Sequence, residues 1–132
     1  MFPPIYATLA ADYTVTTIIG ASPSRVYRHG SAPQNVDRPY VTWAIVSGLP
    51  ENNLSEEPPN DRITVQIDAW SPDDAQAEAL AIAVRDAIEP DAHMTGIVVN
   101  TQDADTRLFR VGLQFDWIMN RPGVEAESSS EP

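Results

Sequence analysis

Between Arg62 and Pro90 the apolar positions change period once, from two to about 3.6 residues, with almost no loop between the two patterns. Ile63, Val65, Ile67 and Ala69 alternate with Thr64, Gln66, Asp68 and Trp70, as in a strand with one buried face. Ala77, Leu80, Ala81, Val84 and Ile88 then recur at helical spacing until Pro90 stops the run. Between them the spacing predicts an N-cap at Ser71 and Pro72 at the first helical position. Asp73 and Asp74 then fall in the first turn, at the positive end of the helix dipole.

The remaining pattern is shorter in range. Pro3-Pro4 opens a helix that puts Ile5, Leu9 and Ala10 on one face up to Asp12. Thr14 to Ile19 fits two readings, since its β-branched residues favour strand while its brevity and Gly20 favour a helical turn. Turn-forming residues from Ser22 to Pro39 surround a brief extended piece, Arg25-Val26-Tyr27. A second strand has Val41, Trp43 and Ile45 on one face and Tyr40, Thr42, Ala44 and Val46 on the other. Ile97-Val98-Val99 makes a short strand, and Arg107 to Ile118 a long one. On the long one Phe109, Val111, Leu113, Phe115 and Trp117 face away from Arg110, Gly112, Gln114 and Asp116. Each of those five bulky residues would contribute roughly 1.5–3 kcal/mol if covered, which argues for a central position.

These elements predict an α+β fold: a two-layer sandwich with a mostly antiparallel sheet of about four strands and two helices on one face. Residues 1–120 form one domain, and 121–132 read as a disordered acidic tail with nothing to bury. Residues 49–61, LPENNLSEEPPND, carry four acids and no base. They read as the long tip of a hairpin, either a solvated mobile tip or a functional loop.

Composition narrows the class. A chain of 132 residues can bury roughly two-thirds of its unfolded surface without staples. With no Cys, it has neither disulfides nor a thiolate metal site. The first residues lack a basic leader and a long apolar core, so neither a signal peptide nor a membrane span is expected, and a soluble cytoplasmic protein is the default. Nineteen acidic residues oppose eight basic ones, all Arg, for a net charge of −11. Such a surface does not grip nucleic-acid phosphates. It serves solubility, or it is a surface that DNA must pass without sticking.

Reactive constellations are missing from the pattern. His29 and His93 lie among turn residues with no partner acid specified. Asp103-Ala104-Asp105, with Asn100 upstream, resembles part of a calcium loop but lacks its glycine and closing Glu, so a turn or capping role is expected. Asp68 and Asp116 could form a carboxylate pair on neighbouring strands, and solvent-facing acids explain them equally well. There is no GxGxxG, P-loop, HExxH or GxSxG. No catalytic, cofactor-binding or metal-binding residue is assigned, and the chain reads as a non-enzyme.

Arg25-Val26-Tyr27, Ala32-Pro33-Gln34 and Arg38-Pro39-Tyr40-Val41-Thr42-Trp43 follow in order. Val65-Gln66-Ile67-Asp68-Ala69-Trp70, Val84-Arg85-Asp86-Ala87-Ile88 and Arg107-Leu108-Phe109-Arg110-Val111 come after them. Together this set resembles the tail-completion, or tail-terminator (head–tail joining), proteins of long-tailed phages and prophages. The resemblance spans about Pro3 to Trp117, leaving out the acidic loop and the tail. It implies a structural virion protein that forms a ring, commonly hexameric, ending the tail tube and joining it to the head or neck. It also implies three partners: other copies of itself, the tail-tube protein and a neck or head-completion protein. DNA would pass nearby without specific binding, and no membrane or cofactor is involved. The protein would sit at the head–tail junction of the virion, and in the host cytoplasm during assembly.

Within that reading, Arg25, Tyr27, Arg28, Arg38 and Tyr40 are candidate interface residues, because they gather positive and aromatic groups in an acidic chain. The alternative is that Tyr40 packs at its strand's start and the arginines pair with local acids. Glu51, Glu56, Glu57 and Asp61 are candidate lumen or docking residues of the loop. Rival functions are a head-side neck adaptor, a tail-tube subunit, or a small ligand-binding domain or enzyme with an unrecognised site.

Overall fold

The computed structural model describes residues 2–28, 32–33, 36–50 and 60–120. Its elements run α1 (Ile5–Ala10), α2 (Tyr13–Ile19), β1 (Val26–Arg28), β2 (Tyr40–Pro50), β3 (Asn60–Ser71), α3 (Asp74–Ile88), β4 (His93–Gln102) and β5 (Phe109–Asn120). Among the described residues the strands form one sheet in the order β1-β2-β3-β5-β4. The α+β class holds and the sheet is mostly antiparallel, as expected, but it is mixed and has five strands rather than about four. The added strand is β1, which pairs in parallel with β2 through Val26↔Val41, Tyr27↔Thr42 and Arg28↔Trp43. The other three pairings are antiparallel.

The core lies between the sheet and three helices, one more than the sequence predicts. Residues Thr14–Ile19 resolve as helix because Asp12 caps α2, its Oδ1 accepting the Val15 N–H at 3.0 Å. At the other end Gly20 leaves the helix at φ +89°, a conformation that suits glycine. Val15 and Ile19 are thereby buried beside Ile5 and Leu9 of α1. On the strands, Val41, Ile63, Val65, Ile67 and Ala69 face inward, with Val111, Leu113, Phe115 and Trp117 of β5. From α3 come Ala77, Leu80, Ala81, Ala83, Val84 and Ile88. The period-2 and period-3.6 faces read from the sequence are the faces that meet.

Three boundaries differ from expectation, and the place of one strand is refined. The N-cap of α3 is Asp73, whose Oδ2 accepts the Gln76 N–H at 2.9 Å. Ser71 instead ends β3, fully buried, accepting the Asp73 N–H and donating to Gln76 Oε1 at 2.7 Å. The loop is shorter than 49–61, because β2 and β3 stay paired to Leu49↔Arg62 and Pro50↔Asp61. β4 runs over ten residues rather than three. Finally, β5 is internal, but the middle strand is β3, hydrogen-bonded to β2 on one side and β5 on the other.

Candidate assembly surfaces

The helix-free face of the sheet carries a stripe of aromatic and charged side chains across four strands. It begins at Tyr27 of β1, whose ring meets Tyr40 of β2 edge-on, centroids 6.3 Å apart. Tyr40 in turn stacks on Trp70 of β3 at 5.9 Å, the two being cross-strand partners. Arg110 of β5 lies over the Trp70 ring at 5.0 Å and donates from Nη2 to Asp68 Oδ2 at 3.0 Å. Gln66 Nε2 donates to the other carboxylate oxygen at 2.9 Å, and Trp70 Nε1 donates to Thr42 Oγ1 at 2.9 Å. The strands place outward residues at every second position, so aromatic and polar groups on four strands stack sideways into one layer. Asp68 is buried within it although no helix covers this face.

Burial raises the Tyr40 phenol above its ordinary value of 10.0; Arg38 pulls it back and Asp103 pushes it further up. A hollow of about 190 Å³ opens beside the stripe, lined by Ala44, Val46, Gln66, Asp68 and Arg110. The Arg110 Nε inside this layer is buried and has no hydrogen-bond partner among the described residues.

Of the five candidate interface residues, two belong to this stripe, two are exposed, one beside it and one on the other face, and one is turned inward. Tyr27 and Tyr40 belong to the stripe, and Arg38 is exposed beside Tyr40. Arg25 is turned inward. Its Nε donates to the Pro39 carbonyl at 2.8 Å and its Nη2 to the Ile18 carbonyl at 3.4 Å, tying the end of α2 to the chain entering β2. Arg28 points to the helix-bearing face, where its guanidinium lies 5.0 Å from the Phe2 ring and 5.5 Å from the Trp43 ring. Phe2 is itself about half exposed.

Of the loop candidates, Glu51, Glu56 and Glu57 lie outside the described residues. Asp61 is a strand residue in β3, opposite Pro50 on one side and Met119 on the other. Sequence reasoning missed Trp70 and Arg110 as members of the stripe. The signal was present as aromatic residues at outward positions of otherwise polar strand faces.

The groups considered for chemistry stay apart. Asp68 faces Gly112 and Asp116 faces Thr64, so the two acids are separated by four positions along the same ladder. Asp116 accepts a hydrogen bond from the Thr64 hydroxyl at 2.8 Å instead. Asp103 shapes the β4–β5 turn, its Oδ1 accepting the N–H groups of Asp105 and Thr106. His93 opens β4, and His29 lies outside the described residues. Among the described residues no three His, Asp or Glu side chains group as metal ligands, and no helix is long and apolar enough to cross a membrane.

The sequence pattern of one protein family, tail completion protein gp17, matches residues 3–120. The chain belongs to the tail completion protein family. That match takes in the 49–61 segment, which the motif resemblance had left out. One solved structure with a similar fold is a chain of the "Virion of native gene transfer agent (GTA) particle". It superposes with a TM-score of 0.62 at 18% identity, over 89% of this chain and 92% of that one. No curated protein matches the sequence. As a tail completion protein the chain is a structural phage-tail component, and its surfaces matter for what they join.

Proposed function

We propose that this tail completion protein forms a ring, of six copies in the simplest form, that ends the tail tube and joins it to the head or neck. The observation that carries this reading is the family match across residues 3–120, the whole described domain. The similarity in fold to a chain of a gene transfer agent virion supports a place in the particle, at its head–tail junction after assembly in the host cytoplasm. Two further features fit. Side-by-side contacts between unlike edges close into a ring when their rotation closes, and the two edges of this sheet differ in length and composition. A net charge of −11 keeps a DNA strand mobile through the lumen of such a ring. Partners are then other copies, the tail-tube protein and a neck or head-completion protein, with the 49–61 segment in the lumen or against a neighbouring ring. Arg38, Tyr27 and Tyr40 would contribute to these contacts.

Deleting the gene and imaging the particles tests the reading. The expected outcome is tails of irregular length with unjoined, DNA-filled heads. Normal-length tails on joined heads would overturn it. Self-polymerisation of the purified protein into long tubes would identify a tail-tube subunit instead.

A further inference from the structure

The helix layer stops short of the sheet's far edge. Beyond α3, the inward face of β4 is uncovered and leaves a groove of about 390 Å³ between helix and strand. Its apolar wall is Ile82, Met94 and Ile97; Asp74 and Glu78 form an acidic rim, with Arg85 at the other end. Arg85 is already paired with Asp86 at 3.1 Å. Ile82 and Ile97 are 43% and 60% exposed, high values for residues of this size.

The strand bordering the groove carries two register shifts, which disturb its edge, but lacks the guards of charge and proline. From Met94 to Gln102, MTGIVVNTQ, it contains no charge and no proline in a chain that is 20% charged. Open edges of free-standing domains carry lysine, proline or inward charges because their unpaired backbone invites another chain. β4 therefore reads as an edge that is covered in the working state.

The opposite edge of the same, helix-bearing face supplies the complement. There Phe2 lies against Arg28, the last residue of β1, an exposed aromatic ring under a guanidinium. The ring matches the apolar wall, and the cation matches Asp74 and Glu78. Both lie on the side of the sheet that carries the helices, so translation along the sheet together with the rotation that closes the ring can bring one to the other. We propose that the α3–β4 groove of each copy receives the Phe2–Arg28 edge of the next copy. Copies of this chain then join head to tail, and β4 is covered. This inference rests on the ring reading and assigns the contact within it.

Reversing one charge on each side gives the test. Arg28→Glu and Glu78→Arg should each leave a folded chain by circular dichroism but reduce the mass from that of the ring to 14.5 kDa. Mixing the two variants, or combining both changes in one chain, should restore the ring. Glu78 is exposed on α3, so its variant remains informative even if Arg28→Glu fails to fold. Where the purified wild type is a ring, a Glu78→Arg protein that keeps its mass overturns the proposal, as does a mixture of folded variants that stays monomeric.

Assembly that occurs only on the tail tip is read by a cysteine pair, Phe2→Cys with Ile82→Cys, in a chain that otherwise has none. Oxidised particles should give a ladder of cross-linked multiples, and no ladder overturns the assigned contact. A ring seen in wild-type particles alongside a failed ladder rejects this contact alone. The absence of any ring rejects the reading beneath it.

Discussion

A Cβ placed on Gly112 would lie 2.5 Å from Asp68 Oδ1 and 3.2 Å from both Gln66 Nε2 and Val99 Cβ. The glycine is therefore what lets Asp68 lie flat against β5 and reach Arg110. Gly112→Ala should push the carboxylate off the guanidinium and cost about 1–3 kcal/mol, read as a lowered melting point. An unchanged melt would mean that Asp68 moves aside freely. In the β4–β5 turn, the backbone N–H groups of Thr106 and Asp105 hold the Asp103 carboxyl below its ordinary value of 3.8. A pKa lowered by folding stabilises the fold above the unfolded value and loses that stabilisation as pH falls through the folded one. Asp103→Ala should thus melt below the wild type at neutral pH, and the gap should close on acidification. A gap independent of pH would assign the effect to the side chain's packing.

The elements were legible in proportion to how local their causes are. The β3–α3 unit and β5 follow from periodicity within one segment, and their buried faces match apart from Ala83, buried but not read from the pattern, and Phe109, which is only partly buried. The start of α3 did not, because Ser71 and Asp73 both offer an oxygen to nearby amides and only the end of β3 decides between them. Asp73→Ala should cost about 1 kcal/mol as the loss of a cap, measured by urea unfolding. No change there would return the capping role to Ser71. β1 was read as extended but not as a strand, since three residues carry little pattern and their parallel partner lies beyond a turn-rich segment. β4 was underestimated because register shifts at Met94/Gly96 and Ile97/Val99 break its alternation. Of the candidate surface residues, Tyr40 was legible as facing away from Val41, Trp43 and Ile45. The inward turn of Arg25 was not, because it depends on carbonyls of Ile18 and Pro39 that only the fold brings together.

For the molecule as a whole the dominant surface term is its excess of eleven negative charges. Like charges spread over so small a domain repel one another, and salt screens them over a length of about 10 Å at 0.1 M. The folded chain should therefore melt higher at moderate ionic strength than in very dilute buffer. A melting point that falls with added salt would show that the sparse ion pairs, Arg110 with Asp68 among them, outweigh the repulsion.

β3 is paired on both sides from Asp61 to Trp70, whereas β4 has a neighbour on one side only. Amide protons held within a doubly paired strand exchange with solvent only when the domain opens globally, while those along an open rim exchange by local fraying. Deuterium uptake in this chain should therefore run on two clocks. The slow one, in β3, measures the stability of the fold. The fast one, in β4, should stop when a neighbouring copy settles against that rim, so that assembly can be timed in unaltered protein.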